Sequence, residues 1–340
     1  QQEIFIFYYF GMNIIDWSAI IITIILQTLF FTVGMQYNKK IINFSAMTVY
    51  AGMLIFFFVV LLSDVKITTE AFSKIFSLNS FLDANNLAPL ITVAGTIFAY
   101  FSILIISFGD FSRYVKNEQE LKKGNLSLIL NLIIFSFLSV FIVIGSDVFL
   151  NQKFSDIDRI FTNPTDIVGK FDNIQITIVV LFFIIIASAS TNLVANFIPS
   201  QYSLINFAPS ILSLKSASYL IAFFGLLIAI FWLTILSQIG ILSFVDTFGA
   251  FFGPLFGVMA ADYYLIKNQE LSNKDLYSID KESAYYYSGG WHIKGVYSLI
   301  LGFIFSASTI WNTNLMFLQS YAWIIGAFVA WITYYLLAKK

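Results

Sequence analysis

Cysteine is absent from this chain, histidine occurs once, and charged residues make up only 11% of it. Each shortage excludes something. Without cysteine there is neither a disulfide framework nor thiol chemistry. The single His292 leaves no cluster of side chains with which to hold a metal in a cytoplasmic loop. With so little charge against 59% hydrophobic residues and a mean hydropathy of +0.84, the chain cannot present the polar surface of a water-soluble globule. The net charge of −1 says less than its distribution does.

What the chain has in abundance is apolar sequence. Nine segments, roughly 17–35, 41–62, 88–108, 126–146, 174–198, 216–236, 247–266, 295–313 and 316–337, each approach the ~20 residues a helix needs to cross a bilayer. The strands of a membrane barrel would alternate over ~10 residues, which is the opposite pattern. The expectation is an all-α, polytopic membrane protein. If every segment crosses, thirteen of the 18 Lys and Arg fall on one side, among them Lys39, Lys40, Arg113, Lys116, Lys122, Lys123 and Lys339. The other side holds Lys66, Lys74, Lys153, Arg159 and Lys170 among carboxylates such as Asp147, Asp156, Asp158 and Asp172. The positive-inside rule makes the first side cytoplasmic, with the C-terminus inside and the N-terminus outside. Because the chain starts at Gln1 with no basic cleavable leader to carry a terminus outward, it is expected to be the C-terminal portion of a longer protein.

Against that apolar background one interruption stands out. Ala187-Ser-Ala-Ser-Thr-Asn-Leu-Val-Ala-Asn196 concentrates small and polar side chains where hydrocarbon offers no water to satisfy them. Asn192 and Asn196 are four residues apart and share a helix face. A carboxamide presents donor and acceptor together, matching the amide and imide edges of a heterocycle. Ala187, Ser190 and Thr191 stand at i, i+3 and i+4, so one carbonyl and two hydroxyls converge, and hard oxygen ligands of that kind suit a small alkali cation. The same residue types also serve simply as hydrogen-bonding glue between membrane helices.

Two further stretches are distinctive. Gly109-Asp110-Phe-Ser-Arg113-Tyr114 places a carboxylate at the end of the 88–108 segment, where a helix C-terminus opposes it and Arg113 is the simplest compensation. Within the same segment Pro89 and Gly95 could loosen the helix, and Phe98, Tyr100 and Phe101 could stack on a planar ligand. In segment 247–266, Gly249, Gly253 and Gly257 recur every four residues as a smooth stripe for another helix, with Pro254 in mid-span. Asp262 and two tyrosines close that segment at the interface.

Taken in order, these pieces resemble the nucleobase:cation symporter-1 family, which takes up cytosine, purines, uracil, allantoin and hydantoins. Three motifs carry the resemblance: Asp110-Phe-Ser-Arg-Tyr114; Ser190-Thr-Asn-Leu-Val-Ala-Asn-Phe-Ile-Pro199; and Gly253-Pro254 through Asp262-Tyr-Tyr-Leu-Ile-Lys267, continued by Asp275-Leu-Tyr277 and Gly290-Trp291. The resemblance covers essentially the whole chain and implies a leucine-transporter-type inverted-repeat fold, with about nine of twelve spans present. Residues 1–62 would then end the first repeat, 88–266 form the second and 295–337 supply two C-terminal spans, all in one transmembrane domain.

The resemblance also implies roles. Asn196 would hydrogen-bond the substrate ring, with Asn192 lining the same site. The Ala187 carbonyl and the Ser190 and Thr191 hydroxyls would hold Na⁺. Phe101 stands where the family often has a stacking Trp, Ser107 where it often has Asn, and His292 where Asn commonly follows Gly-Trp. Asp110, Arg113 and Asp262 would stabilise cytoplasmic helix ends. The implied activity is symport of a heterocycle across the plasma membrane, or the inner membrane of a bacterium. No cofactor and no nucleic-acid partner are expected. Na⁺ is favoured over H⁺ because the hydroxyl cluster is intact and no buried carboxylate or histidine stands beside it. A channel or receptor using the polar face, and a membrane-embedded lipid-modifying enzyme, are the rival classes; the second would need clustered acid, base or metal-binding side chains.

Overall fold

The computed structural model describes residues 8–32, 35–63, 65–77, 79, 83–153, 164–170, 174–231, 238, 241–276, 278 and 280–339. Parts of two expected segments, 33–34 and 232–236, and the residues Asp156, Asp158, Arg159, Asp172 and Tyr277, lie outside the described residues. Among the described residues there is no strand, only the isolated bridges Tyr9 with Met12 and Ser288 with Trp291. Ten helices carry the architecture: α1 (Ile14–Thr32), α2 (Met35–Ser63), α3 (Ala84–Ile106), α4 (Glu118–Lys153), α5 (Ile174–Asn192), α6 (Ile198–Phe207), α7 (Leu214–Phe231), α8 (Ile241–Ala261), α9 (Ile293–Trp311) and α10 (Ala322–Ala338). A π-helical turn, Leu193–Phe197, joins α5 to α6, another, Asp262–Ile266, closes α8, and a 3₁₀ stretch, Thr313–Tyr321, leads into α10.

Nine helical stretches among the described residues are long and apolar enough to cross a membrane, and each overlaps one expected segment. The chain is a multi-pass, all-α membrane protein. Helix α4 starts eight residues before the expected segment because its polar first turns continue the helix. There Glu118 pairs with Lys122 at 2.8 Å and Glu120 with Lys123 at 3.0 Å, the i,i+4 and i,i+3 spacings that support an exposed helix. Ile22, Ile25 and Leu29 on α1 and Ile129, Ile133 and Phe137 on α4 are exposed, a distribution suited to lipid and hazardous in water.

The chain forms two compact units, one of residues 1–82 with 110–230 and the other of 83–109 with 231–340. In the first, Phe31 of α1 and Phe197 of the π turn stack at 3.5 Å, and Leu193 and Ile198 complete a small core. Gly52 of α2 lies directly against the Phe183 ring of α5, where a methyl group would sit 2.8 Å from ring carbons.

In the second unit the glycine stripe of α8 does what its spacing predicts. A Cβ at Gly249 would meet Ala99 of α3 at 2.4 Å, one at Gly253 the carbonyl of Trp323 at 2.4 Å, and one at Gly257 the carbonyl of Ala327 at 2.1 Å. Backbones approach this closely only where no side chain intervenes. Helix α8 runs unbroken through Pro254, whose ring is buried against Gly302 and Gly326. Helix α3 is likewise continuous through Pro89 and Gly95. Gly95 is a packing contact, its Cα facing the Ser320 carbonyl, rather than a point of weakness.

Candidate functional site

The polar interruption of the fifth span falls at the end of α5 and in the π turn that follows. Pro199 supplies a local cause. It cannot donate to the carbonyl of Ala195 and its ring crowds that carbonyl, and a widened π turn relieves both problems. The Ser200 hydroxyl donates back to the Asn196 carbonyl at 2.6 Å.

Three amides line up along this turn. The Asn196 Nδ2 donates to Asn192 Oδ1 at 2.6 Å, and Asn192 Nδ2 donates to Gln27 Oε1 of α1. Gln27 and Phe31 are one turn apart on α1, so the same helix face grips the π turn twice, by an amide and by a stacked ring. Asn192 is half-buried, whereas Asn196 is exposed. After its bond to Asn192, Asn196 retains a carbonyl oxygen and one N–H hydrogen without a partner among the described residues. Gln27 went unremarked in the sequence, yet it is a polar residue inside the run Ile-Ile-Leu-Gln-Thr-Leu-Phe.

Of the expected cation ligands, Ala187 and Ser190 meet, the Ser190 hydroxyl donating to the Ala187 carbonyl at 3.1 Å. A hydroxyl that spends its hydrogen this way keeps its lone pairs for a cation. Thr191, on the next position of α5, is exposed and has no hydrogen-bond partner among the described residues. No group of three or more His, Cys, Asp or Glu able to hold a metal occurs among the described residues. Phe101 belongs to α3 in the second unit, where it is half-buried with its ring edge-on to Tyr100 at 5.3 Å.

The first motif departs from expectation in an instructive way. Helix α3 stops at Ile106, and Ser107 leaves helical geometry with φ −89° and ψ 13°. A fresh turn then runs from Phe108 to Ser112 with Asp110 near its start, so Asp110 does not oppose a helix C-terminus. Arg113 is its partner nonetheless, Nη2 lying 3.4 Å from Oδ1. Burial pushes the Asp110 carboxyl up from its ordinary value while Arg113 opposes that shift. The Arg113 guanidinium also lies over the Tyr202 ring at 4.1 Å, and the hydroxyls of Tyr114 and Tyr202 share a hydrogen bond. Tyr202 sits on α6, three residues beyond Pro199, so the first motif is fastened to the helix that the second motif begins. With 18 tyrosines in the chain, nothing singled Tyr202 out beforehand.

Asp262 starts the second π turn and is held by its own relay. Tyr334 of α10 donates to Asp262 Oδ1 at 2.6 Å, and His292 Nε2 lies 2.7 Å from the Tyr334 oxygen. The His292 ring stacks on Tyr287 at 3.9 Å with the planes 4° apart. Burial, with Lys267 and Lys294 nearby, holds the His292 imidazole below its ordinary value against the pull of Asp262. A cavity of about 220 Å³ opens beside this cluster.

A model of the family described as permease for cytosine/purines, uracil, thiamine and allantoin matches residues 8–334. The chain belongs to this family. It is 28% identical over 244 residues to the allantoin permease of Bacillus subtilis (strain 168), covering 72% of this chain and 48% of that protein. It is 24% identical over 344 residues to a purine-uracil permease of Arabidopsis thaliana, covering 97% of this chain and 55% of that one. With the hydantoin permease of Microbacterium maritypicum it shares 29% identity over 144 residues, 42% of this chain and 28% of that protein. The chain thus spans about half the length of the first two relatives. No solved structure matches it.

Proposed function

We propose that this permease-family chain belongs to a cation-coupled symporter that imports a nucleobase or related heterocycle across the plasma membrane, working by alternating access in an inverted-repeat fold. The observation that carries the proposal is the amide line Gln27, Asn192, Asn196 at the π turn, with the free donor and acceptor of Asn196 at its exposed end. Cytosine, uracil, purines, allantoin and hydantoin all present adjacent N–H and C=O or ring-nitrogen edges. One carboxamide can complement any of them. The anchored end of the line fixes the free end in position, which lowers the ordering cost of binding.

In this reading Na⁺ is held by the Ala187 carbonyl and the Ser190 and Thr191 hydroxyls, on the turn immediately before Asn192, with further oxygens completing the shell. Because ion and ring bind within two turns of one helix, each raises the other's affinity by the same factor, and that mutual gain is the coupling. The C-terminus is cytoplasmic. Asp110, Arg113 and Asp262 organise helix ends and touch no substrate.

The test is uptake of labelled cytosine, uracil, a purine, hydantoin and allantoin by the full-length protein in proteoliposomes, with Na⁺ and proton gradients imposed separately. The expected result is saturable accumulation of one ring class that collapses without the Na⁺ gradient. Equilibration without accumulation would instead describe a channel.

A further inference from the structure

The second unit buries a carboxylate that none of these roles employs. Asp246, on the second turn of α8 and inside the membrane-spanning stretch Ser243–Ile266, is 8% exposed. The Gln319 amide donates to its Oδ2 at 2.8 Å, and the Thr96 hydroxyl of α3 donates to it as well. Beside them the Ser320 hydroxyl bonds that of Thr92 at 3.1 Å, and the Gly95 backbone lies against the Ser320 carbonyl. Asp246 therefore sits among neutral polar side chains of α3 and the 3₁₀ stretch.

No cation faces it. Among the described residues, α3 offers only the exposed Tyr100 as an ionisable group, the 3₁₀ stretch only Tyr321, and α10 Tyr334 and Tyr335. Helix α9 carries Lys294 and Tyr297 in its first turns; Lys294 acts on His292 and lines the cavity beside Asp262. Asp262 is 16 residues further along α8 and its π turn, about 24 Å away at 1.5 Å per residue. An ionised carboxylate buried without a counter-charge is expensive, and in a membrane such groups mark ion or proton pathways.

We propose that Asp246 is a reversible proton-binding site within the second unit. The alternative way to neutralise it, a resident alkali cation, suits the surroundings less, because both neighbours present hydrogens rather than lone pairs to the carboxylate. Gln319 and Thr96 each carry a donor and an acceptor, however. Turning the amide or the hydroxyl lets the same two groups accept from the protonated acid, so gain and loss of the proton need no backbone displacement. This proposal goes beyond the transport reading and does not rest on it.

Infrared difference spectra of the full-length protein, recorded across pH without substrate, test it directly. Expected is a protonated carboxylic C=O band that titrates with pH, is lost in Asp246→Asn, and is shifted in Asp246→Glu. A band that survives both substitutions, or a carboxylate signature at every pH, would overturn the proposal. So would a carboxylate band that responds to added Na⁺ or K⁺ but not to pH. Should Asp246→Asn fail to fold, the shift in Asp246→Glu decides alone.

Discussion

At the scale of single residues, the account turns on amides whose partners are far apart in sequence. The Asn192–Asn196 pair was legible from its four-residue spacing, but its anchor was not, because Gln27 lies 165 residues before Asn192. No local pattern reports such a contact. Gln27→Leu leaves the Asn192 amide without its acceptor and is expected to weaken substrate binding about tenfold, one hydrogen bond's worth at roughly 1.4 kcal/mol. Equilibrium binding by the full-length variant checks this; an unchanged Kd would mean that Gln27 only packs. Thr191→Ala should cut the stimulation of substrate binding by Na⁺ while leaving binding in Na⁺-free buffer near wild type. An identical Na⁺ titration in the two proteins would remove Thr191 from the ligand set. Asp246 was missed for a different reason: the expected span begins at 247, one residue after it, so its burial became visible only with Gln319 and Thr96 around it.

At the scale of elements, hydropathy located the spans well, while the π turns within them were invisible to it. Two of the three motifs contain a π turn, Leu193–Phe197 and Asp262–Ile266. Only the first announces a cause, in Pro199. The glycine stripe of α8 was readable because a four-residue repeat of the smallest side chain has few explanations besides close helix contact. Its partners α3 and α10 were not, since spacing says which face packs but not on what. Gly257→Ala would put a methyl 2.1 Å from the Ala327 carbonyl, so backbone must move. Overpacking of this kind costs about 1–3 kcal/mol, to be seen as a lower midpoint in detergent thermal unfolding. Gly225→Ala on α7 meets nothing within 4 Å and serves as the contrast, neutral or slightly stabilising. Equal destabilisation by both would show that the stripe is not a contact surface.

At the scale of the whole molecule, the class of the protein was settled by shortage of charge and by the lengths of its apolar runs, properties that need no tertiary information. The division into two compact units, with α3 grouped with the last third of the chain, lay beyond sequence because it depends on which helices touch. Stability against pH belongs to this scale too. His292 has an imidazole held below its ordinary 6.5. The unfolded chain then takes up the proton more readily than the folded one, so this contribution is present above that value and lost as pH falls below it. The thermal midpoint of the full-length protein should therefore drop between about pH 7 and pH 5, and His292→Asn should flatten that slope. A slope unaltered by the substitution would assign it to other groups.

The central claim is that the free end of the amide line at Asn196 reads the edge of a flat heterocycle. Its most direct test is equilibrium binding of the ring compound found by the uptake screen to full-length wild type and to Asn196→Ala, both shown to be inserted and monodisperse. The account predicts a loss of at least tenfold in affinity, at the scale of one or more unmade hydrogen bonds. Asn196→Ala binding that compound with the wild-type Kd would contradict it.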